Sequence, residues 1–269
     1  MCQSKLKGGD RCDSPSAKIA KLTKYGLTKG AAVRTGDGIN VRSTLDAQWN
    51  TWEPVLTDDE KTHLFDYSNQ DYEHINGVIR DPEYAIDLKK YNPEAYKKAL
   101  SQTVELDRIL ASCPPAEKPR TLYRSIRPPG DPKDAAAWAK ETFVPGQQVT
   151  FESFSSMTAN PNALIPMLHQ APVFSRMFSP TEEEKALTPN DQPSNTVFEV
   201  VTRKGAPVHT LSHMPQEAEI LAPRNMTMTV LSVREDVVYE SQQHILRENE
   251  TTPLQQRTVR VIQLVDVDL

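Results

Sequence analysis

Cysteine is scarce in this chain: 269 residues hold three, Cys2, Cys12 and Cys113. So odd and sparse a set excludes a disulfide framework and points to a reducing compartment. Cys2 and Cys12 have no His/Cys pair downstream at zinc-ligand spacing, so no metal site is expected. No run of about 18 apolar residues occurs, which excludes a helical membrane span and any membrane partner that would need one. The N-terminus, MCQSKLKGGDRC, has no apolar segment behind its charges, so no Sec-type signal is read there. The expectation is a chain that is cytoplasmic where made, and that reaches a host or rival cell, if it does, by a route independent of that signal. Internal repeats and low-complexity tracts are also absent.

What is present is an ordinary globular composition, 38% apolar over 269 residues, enough for one sizeable core. The net charge of −5 is unevenly spread. Residues 1–34 carry eight Lys/Arg against Asp10 and Asp13, a net of +6, which leaves −11 for the rest. A basic, solvated arm over 1–45 is expected, with nucleic acid, an acidic surface or a secretion apparatus as the partners such an arm can meet.

The segment 35–55 mixes turn residues with two tryptophans and marks where the folded part, 46–269, starts. Thr57 with Glu60 three residues on predicts a capped helix start, and Leu64, Tyr67, Tyr72, Ile75 and Ile79 follow at helical spacing with a break near Ser68, which reads as two helices. A third helix is predicted in NPEAYKKALSQTVELDRILASC, opened by Pro93, with Leu100, Val104, Ile109 and Leu110 as its apolar positions, and stopped by Pro114 and Pro115. Past residue 120 the texture changes to short β-rich runs: TLYRSI, QQVTFESFSS, TVFEVVTR, APVHTL, AEILA, MTMTVLSVRED and RTVRVIQLVDV. Helices over 46–118 followed by strands over 119–269 predict an α+β domain with a mostly antiparallel sheet system. The long proline-bearing connection 159–195 is functional or partly helical.

Within AEILA and the residues before it lies the pair Glu217 and Glu219. Acidic residues two apart are common by chance, about five such pairs at this composition, and Glu182/Glu184 and Glu248/Glu250 have the look of solvated charge runs. Glu217 and Glu219 differ in context. In a strand, period 2 puts both carboxylates on one face and Ala218, Ile220 and Ala222 on the other. The plain alternative is a polar, solvent-facing strand surface. Arg124, inside the apolar run TLYRSI, needs an anionic partner if it points inward, either a carboxylate or a phosphate whose oxygens match its planar fork. Ser153, Ser155, Ser156 and Thr158 around Phe154 offer hydroxyls that can orient a carboxylate or a ribose, or simply end a strand.

Taken in order, Arg124 in LYRS, Ser156-Met157-Thr158 in FSSMT, and Glu217-Ala218-Glu219 in LSHMPQEAEILAP resemble the arginine-type mono-ADP-ribosyltransferases, a toxin-like family with an Arg, a Ser-Thr-Ser and a Glu-x-Glu motif. The likeness spans roughly residues 55–235, including the helical YSNQDYEHINGVIR, and the middle motif departs from the family in Met157 and Thr158. The resemblance implies N-terminal helices followed by two roughly perpendicular, antiparallel-rich sheets that form an NAD cleft. It implies NAD as co-substrate, without a metal, and transfer of ADP-ribose to an arginine of a target protein. It gives Glu219 to the ribose, Ser156 to orienting Glu219, Arg124 to the NAD phosphates and Glu217 to the attacking guanidinium. Thr158, Phe174, Arg176 and Phe178 are further expected contacts of NAD, and the loop 209–216 becomes the segment that reads the acceptor. A toxin or effector with an immunity or chaperone partner fits this picture. A nucleic-acid acceptor met by the basic arm, and a binding module without turnover, are the competing readings.

Overall fold

The computed structural model describes residues 38–126, 135–160, 196–212, 215–240 and 255–269. Helix α1, Gly38–Trp52, begins before the position expected for the folded part. The turn-rich composition hid a stripe, Leu45, Trp49 and Trp52, whose spacing brings all three to one buried face. The two indoles meet edge to face, 6.0 Å between centroids.

Helix α2, Asp58–Asp66, starts at the expected capping box: the Thr57 hydroxyl accepts from Glu60 N at 3.2 Å, and the Glu60 carboxylate accepts from Thr57 N at 2.7 Å. The break read at Ser68 is a single π-helical turn, Tyr67–Asp71, leading into α3, Tyr72–Arg80. Such a turn holds one residue too many for the helical period and turns side chains off the buried stripe. Leu64, Tyr67 and Ile75 go to the core, while Tyr72 stays exposed. Helix α4, Pro82–Tyr91, was not foreseen although its signal is local: Asp81 Oδ1 accepts from both Glu83 N and Tyr84 N, and Pro82 occupies the first turn.

Helix α5, Pro93–Ser112, has the expected start and stop but a different buried face. Leu100 and Val104 are exposed, and the packed face is Ala99, Gln102, Thr103, Leu106, Ile109 and Leu110. The two polar members hid it: Thr103 returns its hydroxyl to Ala99 O, and Gln102 donates to Asp71 in the π turn, so both are buried with partners.

The strands are β1 Arg120–Ile126, β2 Gln148–Phe151, β3 Ser155–Thr158, β4 Thr196–Thr202, β5 Ala206–Pro207, β6 Glu219–Ala222, β7 Met226–Glu240 and β8 Gln255–Asp266; a short helix, α6 Ala135–Thr142, follows β1. The run 147–156, read as one strand, is two: Glu152–Phe154 breaks it, and β2 pairs with β7 while β3 pairs with β1 and β6. Among the described residues the order is β2-β7-β8-β4-β1-β3-β6-β5, antiparallel throughout except β4 beside β8.

The two halves of this order meet along β1 and β3, where one register pair, Tyr123 with Thr158, joins them. No further register pair joins these two strands, and Arg124, Ser125 and Ser156, paired on their other sides with Phe198, Val197 and Leu221 in turn, line a cavity there. The same register carries a polar row across six strands, Ser232, Gln263, Glu199, Tyr123, Thr158 and Glu219. Two apolar clusters hold the sheet. One joins Leu122, Met157, Val200, Ile220, Ile262 and Leu264 to Phe143 and Ala139; the other packs the helices through Trp52, Leu64, Tyr67, Leu106 and Ile109 onto Phe154, Val208 and Leu221. Each such side chain contributes about 1.5–3 kcal/mol when fully buried.

Candidate active site

Where β1 and β3 part lies a cavity of about 550 Å³ lined by Arg124, Ser156, Thr158, Glu217 and Glu219, which brings together five residues that the sequence spaces over almost a hundred positions. Phe174, Arg176 and Phe178 lie outside the described residues, as do 1–37 and positions 213 and 214 of the loop before the glutamates.

Glu219 is the first residue of β6 and is buried. Burial raises its carboxyl pKa, and the hydroxyls of Ser156, Ser212 and Ser68, followed by the charge of Arg124, oppose that rise. Hydroxyls that donate to this carboxylate favour its anion against the cost of burial. Ser68 is the loosest of them, since its buried Oγ meets no partner at ordinary hydrogen-bond geometry.

Glu217 is not on the strand. It ends a 3-10 turn, Pro215–Glu217, and Ala218 follows in the left-handed region at φ 50°. The pleat therefore does not bring the two carboxylates together, as the sequence suggested; one left-handed alanine does. Ala218 still sends its methyl to the core with Ile220 and Ala222. Glu217 is half-buried, and its carboxyl pKa is raised by burial and then by Glu219. The charge of Glu219 thus makes ionisation of Glu217 more costly.

Arg124 donates from Nη1 to Ser156 O at 3.3 Å across the gap. Its pKa is lowered, first by burial, with Arg80 adding to that effect and Tyr67 and Glu219 opposing it. Thr158 lines the cavity, but its hydroxyl is engaged by the protein, donating to Glu217 O and accepting from Asn160 N at 2.9 Å.

Several lining residues were missed as site residues. Asn76 is buried within α3, donates to the Tyr67 hydroxyl at 3.0 Å, and keeps a buried Oδ1 with no hydrogen-bond partner. Burial pushes the Tyr67 phenol up to about 12, so it stays a neutral donor and acceptor. The available signal for Asn76 was a polar residue on the apolar stripe between Ile75 and Ile79. Ser68 was visible only as a break in that stripe. Ser212 belonged to the quoted motif without a role.

A second cavity of about 480 Å³ shares Arg124 and Ser125 with the first and is lined by Arg80, Glu152 and the aromatic floor Trp138, Phe151 and Phe198. Phe151 stacks on Phe198 at 5.3 Å. The two cavities run on from each other as a trough through Arg124 and Ser125, with Ser156, Glu217 and Glu219 along the first and Arg80, Trp138, Phe151 and Phe198 along the second. The unpartnered Asn76 Oδ1, the Arg124 and Arg80 guanidinium groups and the aromatic rings suit a long, polar, anionic ligand with a flat ring. Among the described residues no group of three or more His, Cys, Asp or Glu is placed to hold a metal ion, and no helix is long and apolar enough to cross a membrane.

Solved structures share this fold at low identity. Plx2a, an ADP-ribosyltransferase toxin from Paenibacillus larvae, superposes with TM-score 0.54 and 12% identity over 86% of this chain and 96% of that one. The Clostridium limosum C3 exoenzyme gives 0.53 and 13% over 88% and 98%. The ADP-ribosyltransferase Vis, solved in complex with agmatine, gives 0.50 and 16% over 90% of each chain. Among curated protein sequences nothing matches the chain. The family model for the ADP-ribosyltransferase exoenzyme matches residues 46–253, the span that holds both cavities, and the chain belongs to that family of NAD-using transferases.

Proposed function

We propose that the chain transfers ADP-ribose from NAD to an arginine side chain of a target protein, releasing nicotinamide, and that the fold from helix α1 onward forms one catalytic domain behind the basic arm. The observation that carries this reading is the pair Glu217 and Glu219 in one cavity with Arg124 and Ser156. The dinucleotide lies along the trough, with its pyrophosphate at Arg124 and Arg80, its adenine on the aromatic floor and its nicotinamide ribose at Glu219. Asn76 Oδ1 supplies an acceptor for the ribose or amide groups.

The glycosidic bond between nicotinamide and ribose C1′ breaks, and its electron pair leaves with nicotinamide, which departs neutral. Positive charge grows on the ribose as in glycoside hydrolysis, and Glu219, held by its hydroxyls, accepts from the ribose 2′-hydroxyl and stabilises that charge. A guanidine nitrogen of the acceptor then bonds to C1′ and gives up a proton. An ordinary guanidinium keeps its proton up to about pH 12, so a base must take it. Glu217, with its raised pKa, is that base. A glutamate here suits a guanidinium, and agmatine, the compound bound by Vis, carries one. A nucleic-acid acceptor would rest on the arm, whose first 37 residues lie outside the described residues. Action as a toxin or effector on another cell, with an immunity or chaperone partner at home, extends this reading from the family.

The test follows labelled NAD with agmatine and with cell lysate. Wild type is expected to release nicotinamide and label acceptor. Glu219→Ala is expected to abolish both by a factor of roughly 10²–10³, and Glu217→Ala to remove transfer while hydrolysis persists. A wild-type chain that cleaves no NAD with or without acceptor overturns the proposal.

A further inference from the structure

The left-handed turn at Ala218 is the feature that brings Glu217 beside Glu219, and an L-residue does not hold that conformation unaided. Glu219 is fixed by the sheet itself: it pairs with Thr158 in register, and its carbonyl accepts from Val208 N at 3.0 Å. Glu217 stands one residue outside the ladder and has no strand partner in register.

Three bonds close the turn. Ala218 N donates to Pro215 O at 3.2 Å, and Ala159 N donates to Ala218 O at 3.2 Å. The third is side-chain work: the Thr158 hydroxyl donates to Glu217 O. That hydroxyl is itself held, because Asn160 N donates to it at 2.9 Å, and it has Asn160 O as a second acceptor at 3.1 Å. Thr158 is 3% exposed, so the bond is shielded from bulk solvent. Its methyl and hydroxyl are fixed by a strand end that pairs on both sides, with Tyr123 and with Glu219.

We infer that Thr158 is a positioning residue for Glu217: its hydroxyl clamps the carbonyl before the left-handed alanine and so aims the acceptor-side carboxylate, independently of the hydroxyls that hold Glu219. The inference rests on the proposed transfer to a guanidine. It divides the hydroxyls of the site by task, with Ser156, Ser212 and Ser68 serving the donor through Glu219 and Thr158 serving the acceptor through Glu217. Loss of the clamp lets Ala218 relax to the extended region, and the base then stands away from the attacking nitrogen.

The experiment measures transfer to agmatine and hydrolysis of NAD side by side in wild type, Thr158→Val and Thr158→Ser, with the KM for agmatine and for NAD in each. The expected result is a transfer-to-hydrolysis ratio about tenfold or more lower in Thr158→Val, with restoration in Thr158→Ser, which keeps the donor. A purely structural threonine would lower both activities in parallel. An unchanged ratio in Thr158→Val, whether both rates fall or neither does, overturns the inference while leaving the proposed function standing. If the valine variant does not fold, Thr158→Ala against Thr158→Ser carries the same test, and equal ratios in those two overturn it. A wild type that cleaves no NAD removes the proposed function and this inference together.

Discussion

Replacing Ser156 by alanine removes one of three hydroxyls that face the Glu219 carboxylate, and the consequence can be worked through. Burial alone would favour the protonated carboxyl, and Ser156 leads the groups that restore the anion. A hydrogen bond to a charged group is worth about 1.5–3 kcal/mol, which at 1.36 kcal/mol per decade corresponds to roughly 10- to 150-fold in the population or the rate it supports. Two effects follow: the acid limb of the pH profile of kcat/KM for NAD cleavage moves toward neutral pH, and the plateau above that limb drops because the ribose-side anion is less well aimed. In stability, a carboxyl whose folded pKa is raised favours the fold below its unfolded value, near 4.5, and that contribution is lost as pH rises through the folded pKa. Ser156→Ala raises the folded pKa further, so its destabilisation is expected above that pKa and should shrink as the pH falls toward 4.5. NAD cleavage and thermal melting across pH 4–9 read both effects. A uniform rate loss with an unmoved acid limb would refute the assignment of Ser156 to Glu219.

Glu219→Gln should melt higher than wild type at pH 8, with the difference closing as the pH drops below Glu219's raised pKa, because the amide carries no charge to bury; equal melting at pH 8 counts against a raised pKa. Glu199, buried in β4, accepts from Arg234 Nη2 and Gln263 Nε2, both at 2.8 Å, so Glu199→Ala removes a buried acceptor shared by two donors and is expected to cost about 1–3 kcal/mol in denaturant unfolding. A cost under about 1 kcal/mol would show that the pair does not hold the sheet. Gly205 has φ 106°, and a Cβ there would stand 2.7 Å from Ile220 Cγ2 beside the strand that carries Glu219, so Gly205→Ala should destabilise by about 1–3 kcal/mol. Wild-type melting of that variant would show that the loop yields.

Motif order alone singled out five residues that the fold gathers around one cavity, Arg124, Ser156, Thr158, Glu217 and Glu219, although the chain between them is long. Element type was legible where local chemistry repeats a rule, as at the Thr57 box and the Pro93 start. It failed where burial was purchased by polar residues. On α5, Gln102 and Thr103 occupy the packed face because Asp71 and Ala99 O receive their donors, whereas the apolar Leu100 and Val104 point outward. A reading that counts only apolar side chains selects the wrong stripe there. The run 147–156 shows a second limit: periodicity sees strand-forming residues but not that Glu152–Phe154 releases one partner strand and engages another.

The two features that shape the candidate site are each one residue out of step with its element. The π turn at Tyr67–Asp71 carries one residue more than a helical period allows, and this brings Ser68 toward Glu219 while Tyr67 stays packed on Phe154, 5.9 Å between rings. The left-handed Ala218 interrupts the strand period and delivers Glu217 to the same space. Neither obeys the period of 3.6 or of 2 that sequence reading relies on, and each has a cost that regular structure avoids. The surrounding bonds hold both in place: Asn76 to Tyr67 on one side, Thr158 and Ala159 to the turn on the other. Local irregularity held by partners distant in sequence therefore shapes the candidate site, and it explains why the motif letters could be read from the chain while the geometry that joins them could not.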